Sequence, residues 1–225
     1  SGGELSVSGT TMVTIKEPPP ETASLRSVGA ASASIPSTAT STDTAATVLE
    51  LKLTDNDNNN DGGVDGGSGD GKPAQLNNLT LNITPTSTSL APLLNYQLSG
   101  GGLSAPVAGQ RSSDGKSVSF NLSASPITAT SNSSTAFNVQ AWYSPGSVSD
   151  NTTTAIVGLP GSATQANAIV GTGTAILGPS GGISILLKSS VTATQLKLIA
   201  PSQATSGGPL GTITVQAVDA QGNLD

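Results

Sequence analysis

Hydrophobic side chains recur along this chain at every second position, in short runs that Gly, Pro, Asp and Asn interrupt. Leu49, Leu51 and Leu53 make one run, Leu79, Leu81 and Ile83 a second, and Val118, Phe120 and Leu122 a third. Phe137, Val139 and Ala141 follow, with Trp142 on the opposite parity. A period of two puts alternate side chains on one face of an extended chain, so each run predicts a half-buried β-strand. Weaker runs lie near 154–159 and 167–176, then at 183–188 and 195–200, and a last one places Ile213, Val215 and Ala217 inward. Residues 4–16 alternate in the same way until Glu17-Pro18-Pro19-Pro20 stops them and stiffens the chain as polyproline II. The Ala/Ser/Thr-rich stretch 22–47 carries only Val28 and Ile35 as anchors and reads as a linker or a long surface run. Ser112-Ser113-Asp114-Gly115-Lys116 predicts a hairpin with a type I′ turn at Asp-Gly.

About ten short strands separated by turn residues, with almost no helical period, predict an all-β fold of packed sheets. The expected architecture is an Ig-like β-sandwich, one domain complete with partial neighbours at either end. Residues 1–20 read as the end of a preceding repeat plus a Pro-rich hinge. Residues 21–189 read as a large sandwich domain carrying an acidic loop at 55–71, and 190–225 as the start of a following repeat. Both ends of the sequence begin or stop as if inside a domain, so the chain reads as an internal portion of something longer.

The acidic loop breaks the alternation. Residues 55–71 hold Asp55, Asp57, Asp61, Asp65 and Asp70, no basic residue, and Val64 as the sole large apolar side chain. Left to itself such a segment repels itself and stays solvated. Two well-patterned strands flank it, however, and a hard cation offers a way to fold it. Ca²⁺ takes six to eight oxygen ligands, which Asp55, Asp57, Asn59, Asp61, Asp65 and Asp70 are placed to supply along a Gly-rich, curling backbone. The EF-hand pattern is excluded, because Asn60 and Gly66 stand where that loop needs Gly and Glu. Two readings stay open: a calcium-folded loop and a solvated acidic one.

Composition removes most chemistry. There is no Cys and no His, so disulfides, thiol nucleophiles, Cys–zinc sites and the commonest general base are all excluded. Charged residues make up 10% of the chain, and the net charge is −6, which argues against nucleic acid. No apolar run is long enough to span a membrane as a helix. No Gly-x-Ser-x-Gly elbow or paired-carboxylate constellation stands out, and the chain is expected not to be an enzyme. Trp142-Tyr143 is the one aromatic pair and a candidate glycan contact; the competing reading puts one ring in the core.

Two stretches carry a family resemblance. Residues 214–225, ThrValGlnAlaValAspAlaGlnGlyAsnLeuAsp, resemble an early strand and turn of bacterial Ig-like repeats. Residues 49–55 with 70–83 are similar to an Asp…Asp-Gly-x-Pro strand–loop–strand unit of long repetitive surface proteins, including gliding-type and other large adhesins. The resemblance implies a secreted, extracellular or cell-surface bacterial protein built of repeats, whose partners are neighbouring repeats or subunits, glycans or surfaces. It also implies ions at repeat junctions, which makes Asp219, Asn223 and Asp225 candidate junction ligands; the plainer reading is that Asp219-x-x-Gly222-Asn223 only forms a turn. The functional expectation is a structural or adhesive segment stiffened by calcium. The alternatives are a carbohydrate-binding module using Trp142 or Tyr143, and a filament or surface-layer subunit joined by strand exchange.

Overall fold

The structure is a computed structural model that describes residues 23–29, 31–55, 73–86, 94–130, 133–144, 148, 150–159, 176–177, 182–201, 208 and 211–225. In chain order the first strands are β1 (Ala23–Ser27), β2 (Ser32–Pro36), β3 (Ala46–Asp55), β4 (Ala74–Leu76), β5 (Asn78–Pro85), β6 (Leu94–Gly100), β7 (Val107–Ala108) and β8 (Gln110–Arg111). They are followed by β9 (Ser117–Asn121), β10 (Ile127–Ala129), β11 (Ser134–Tyr143), β12 (Thr153–Leu159), β13 (Ile176–Leu177), β14 (Ile183–Ser190), β15 (Gln195–Ile199) and β16 (Thr214–Val218). The one helical element among the described residues is a 3₁₀ turn at Thr42–Thr44.

Two six-stranded sheets face each other, in the orders β13-β1-β3-β11-β6-β7 and β2-β14-β12-β5-β9-β8. The protein is thus an all-β sandwich. Between the sheets, Leu25, Leu51, Leu53, Leu98, Phe137 and Val139 meet Ile35, Leu79, Leu81, Phe120, Val157 and Leu187, all at 0–1% exposure. Each such side chain contributes about 1.5–3 kcal/mol through burial. Strand alternation dictates this set: in β9 the pattern buries Val118 and Phe120 while Ser117, Ser119 and Asn121 turn outward. A small sheet of β4 and β10 closes one end.

The stretch 22–47 departs from its reading as a linker. It supplies both β1 and β2, a single descending run that leaves the first sheet at Ser27 and enters the second at Ser32. The last strands of the sandwich do the same beside it: β13 pairs parallel with β1, and β14 pairs parallel with β2. A strand that changes sheet is covered on both sides in places, so Ala23, Ser24 and Leu25 are all buried and no alternation is left to see. The anchors also separate, with Ile35 fully buried and Val28, at the switch, 43% exposed.

The sandwich has two ends. Ala23 pairs with Asp55, and Asp55 accepts a bond from Ala74, so the first strand starts at what we call the upper pole. Pro36 pairs with Ser190, Ser37 N–H donates to the Ser190 carbonyl, and Tyr143 N–H donates to the Ala39 carbonyl, which gathers these residues at the lower pole. The hairpin β15–β16 leaves from that lower pole. The turn expected at Asp114-Gly115 is a longer one: β8 and β9 are joined through Ser112–Ser117, with Gly115 N–H bonded to the Ser112 carbonyl, rather than through a two-residue loop.

Candidate functional site

The described residue set that brings distant polar groups together lies at the lower pole, where sandwich and hairpin meet. After β16 the chain turns back on itself. Gly222 sits at φ +86°, a conformation side-chain-bearing residues avoid, and its N–H donates to the Asp219 carbonyl. Asp219 N–H in turn donates to the Asn223 carbonyl at 3.0 Å. This part is local turn chemistry, and the Asp-x-x-Gly-Asn spacing dictates it.

The rest is contributed from far along the chain. Asp219 is 3% exposed and Asn223 4% exposed. Asp219 Oδ1 accepts from the N–H groups of Gln221 and Asn223, and Oδ2 accepts from Asn223 Nδ2 at 2.8 Å. Asn223 Oδ1 accepts from the Val148 N–H of the sandwich at 2.9 Å. Asp150 N–H donates to the Leu224 carbonyl, Asp150 Oδ1 accepts from Val191 N–H, and Asp225 Oδ2 accepts from Ala193 N–H. Burial alone would raise the Asp219 carboxyl, but donation from Asn223, from the Ser37 hydroxyl and from two backbone amides outweighs it and holds the group below its ordinary value. Ser37 belongs to the turn after β2 and Val148 follows β11, so one ionised side chain ties the first and middle parts of the sandwich to the last turn of the chain. The donor set is a hydrogen-bonded knot in which both carboxylate oxygens are already engaged by N–H groups. Among the described residues, no group of three or more acidic side chains is placed to hold a metal ion.

Of the loop residues proposed as calcium ligands, Asp57, Asn59, Asp61, Asp65 and Asp70 lie outside the described residues. Asp55 is described: it is 2% exposed, and its Oδ2 accepts the Ala74 N–H at 3.0 Å, which clasps the two ends of the loop. The aromatic pair divides across β11. Tyr143 is 2% exposed and belongs to the core, whereas Trp142 is half-buried and packs on the rim of that core. Burial pushes the Tyr143 phenol up to about 12, with the Thr154 hydroxyl pulling weakly the other way. A ring so enclosed cannot stack on a sugar, which leaves Trp142 alone as the aromatic available to one.

The hairpin itself is exposed. Leu196 and Leu198 are 72% and 67% exposed and stand opposite Ala217 and Val215. Ile213 and Val215, expected inward, are 51% and 56% exposed, because no second sheet lies over this face among the described residues. Sequence reasoning found the turn at Asp219 and the alternation of β15 and β16. It missed the burial of the turn, since the groups that cover it, Ser37, Val148 and Asp150, carry no motif.

No family model and no curated protein matches the chain. Among solved structures the fold overlays on AvmM, described as catalysing macrocyclization in alchivemycin A biosynthesis, with 11% identity and a TM-score of 0.33 over 80% of this chain and 94% of that one. A likeness that weak carries no argument about function. Among the described residues no helix is long and apolar enough to cross a membrane.

Proposed function

We propose that this chain is a load-bearing structural segment of a large extracellular bacterial surface protein, a bead through which tension passes from one repeat to the next. The observation that carries the reading is the pairing of first and last strands. Tension pulls β1 and β2 upward from Ala23 and β14 downward from Ser190. These strands run parallel and side by side, from Ser32 against Leu186 to Pro36 against Ser190, with Ser37 N–H bonded to the Ser190 carbonyl beyond them. Force along that axis shears all of these backbone bonds together instead of opening them one by one. The edge position of β2 also tolerates Pro36, which has no N–H to offer. Below the clamp, the Asp219–Asn223 knot fixes the hairpin that starts the following unit, so the rod does not swivel there. The acidic loop belongs to the same proposal as a calcium-folded stiffener beside the upper pole, its ends already clasped by Asp55. Catalysis has no part in this reading.

The test is single-molecule pulling in two directions. A chain held at its two termini should rupture at a higher force than one held through Asp114→Cys and the C-terminus. The second pull grips the β8–β9 turn and peels strands from one end, and the absence of native Cys makes the attachment unique. Equal forces in both directions would remove the load-bearing reading. For the loop, EDTA should lower the melting temperature of the calcium-loaded chain; an unchanged melt would remove calcium from the account.

A further inference from the structure

A polar cluster also lies inside the sandwich, on the side where the chain passes from the first sheet to the second between β7 and β8. Gly109 makes that passage. Its N–H donates to the Tyr96 carbonyl at 2.8 Å, and a Cβ there would come within 2.8 Å of the Phe120 ring, so a side chain does not fit without displacing the ring. Two residues on, Arg111 stands opposite Val118, which is 1% exposed, so its side chain shares the inward face of the second sheet. On the facing sheet Tyr96 pairs with Ala141 and Leu94 with Tyr143. The two tyrosines are therefore diagonal neighbours on one face, and each is 2% exposed. Burial raises the Tyr96 phenol, and the Arg111 guanidinium beside it pulls the other way.

What this cluster lacks is an acceptor. Both phenol hydroxyls are buried and have no hydrogen-bond partner among the described residues. A guanidinium only donates, so it can approach a phenol oxygen but cannot take the phenol's proton. The Thr154 hydroxyl beside Tyr143 is turned to the Leu187 carbonyl, to which it donates at 3.1 Å. Folded interiors rarely leave such donors unmet, and an unmet pair on one face marks a place for something that accepts.

We propose that Tyr96, Tyr143 and Arg111 form an internal site for a small monovalent anion such as chloride. The donor set selects the charge. A water accepts two hydrogen bonds but adds two protons that need acceptors of their own, whereas an anion accepts from all three groups and adds none. It also offsets the guanidinium charge, which is costly to hold away from water. Enclosure selects the size, because Tyr96, Tyr143, Val118 and Thr154 are each at most 2% exposed. The way in lies along half-buried Arg111, on the edge strand β8. An ion held there braces β6 and β11 of one sheet against β8 of the other, a role separate from the parallel strands that carry load.

The full chain is melted by circular dichroism at constant ionic strength while sodium gluconate, whose anion is too large to enter, is exchanged for sodium chloride. The melting temperature should rise with chloride, by roughly 3–5 °C for every tenfold beyond half-saturation. Crystals grown in bromide should show an anomalous peak between the two phenols and Arg111. Tyr96→Phe removes a hydroxyl that no protein group accepts from, so in gluconate it should melt at or above the temperature of the parent chain while losing most of the chloride response. Arg111→Met should lose that response altogether. A melting temperature indifferent to the anion would overturn the proposal. So would a water at the site with no anomalous signal in bromide, or a Tyr96→Phe chain that keeps the full response.

Discussion

Replacing Asn223 by Ala removes two buried hydrogen bonds at once. The Val148 N–H loses its acceptor and Asp219 Oδ2 loses the Asn223 Nδ2 donor, both across distances below 3 Å. Each polar group stranded in a buried site costs about 1–3 kcal/mol, so the substitution should weaken the seating of the hairpin by roughly 2–6 kcal/mol. The loss falls mainly on the junction, because both bonds lie at the lower pole where the Val148 backbone meets the last turn. Every 1.4 kcal/mol is about a tenfold change in an opening equilibrium, so the amides that join β15 to β16 should exchange with solvent at least roughly 30-fold faster. Amides joining β3 to β11 should exchange as before. Hydrogen exchange read by mass spectrometry on peptides covering 195–218 and 46–55 measures both. Unchanged exchange in the hairpin would show that Asn223 does not hold it. Equal acceleration in both peptides would show that sandwich and hairpin open as one unit, and the idea of a local knot would fail.

Other outcomes follow from the same packing. The folded-state value of the Asp219 carboxyl lies below its unfolded value, so its contribution is fully present above about pH 4 and is lost as pH falls through the folded value. Hairpin exchange should therefore rise in acid, and Asp219→Asn should abolish that dependence. Tyr143 shows the alkaline counterpart: its raised phenol favours the folded chain below pH 10.0, and that contribution is lost as pH rises toward about 12. Tyr143→Phe should lessen the fall in melting temperature across that window without abolishing it, because burial raises the Tyr96 phenol as well. Gly158 lies so close to the Ile183 carbonyl oxygen of the adjacent strand that a Cβ there would overlap it. Gly158→Ala should cost about 1–3 kcal/mol or more in urea denaturation, through displacement of β14 from β12. A cost near zero would mean that the two strands separate easily, against the clamp described above.

The well-patterned strands were legible because one face of each is buried and the other is wet. Phe137, Val139 and Ala141 read correctly, and so did the run Val118, Phe120 and Leu122. β1 and β2 were not legible, because a strand that moves between sheets changes which face is covered and because Ser24 and Ser37 are buried polar residues. Parity alone placed Trp142 and Tyr143 on opposite faces of β11, but it did not say which lay inside; the packing of the second sheet over Tyr143 decides that. Ile213 and Val215 show the reverse error: their alternation is real, yet what should cover them is absent from the described fold. The turn at Asp219 was visible in its own residues. Its burial was not, since Ser37, Val148 and Asp150 reach it across more than 65 residues of sequence and no local pattern encodes such a meeting.

The side-by-side arrangement of first and last strands also sets the order of folding. β1 and β2 have no parallel neighbours until β13 and β14 exist, so neither sheet is whole until the chain has been supplied as far as Ser190. Pairings at such sequence separation form slowly, since the intervening loop must close before any contact rewards it. A fragment covering residues 23–160 should show no cooperative melt in circular dichroism. During synthesis the polypeptide therefore stays pliable along most of its length, and it stiffens only when the strand ending at Ser190 has been added.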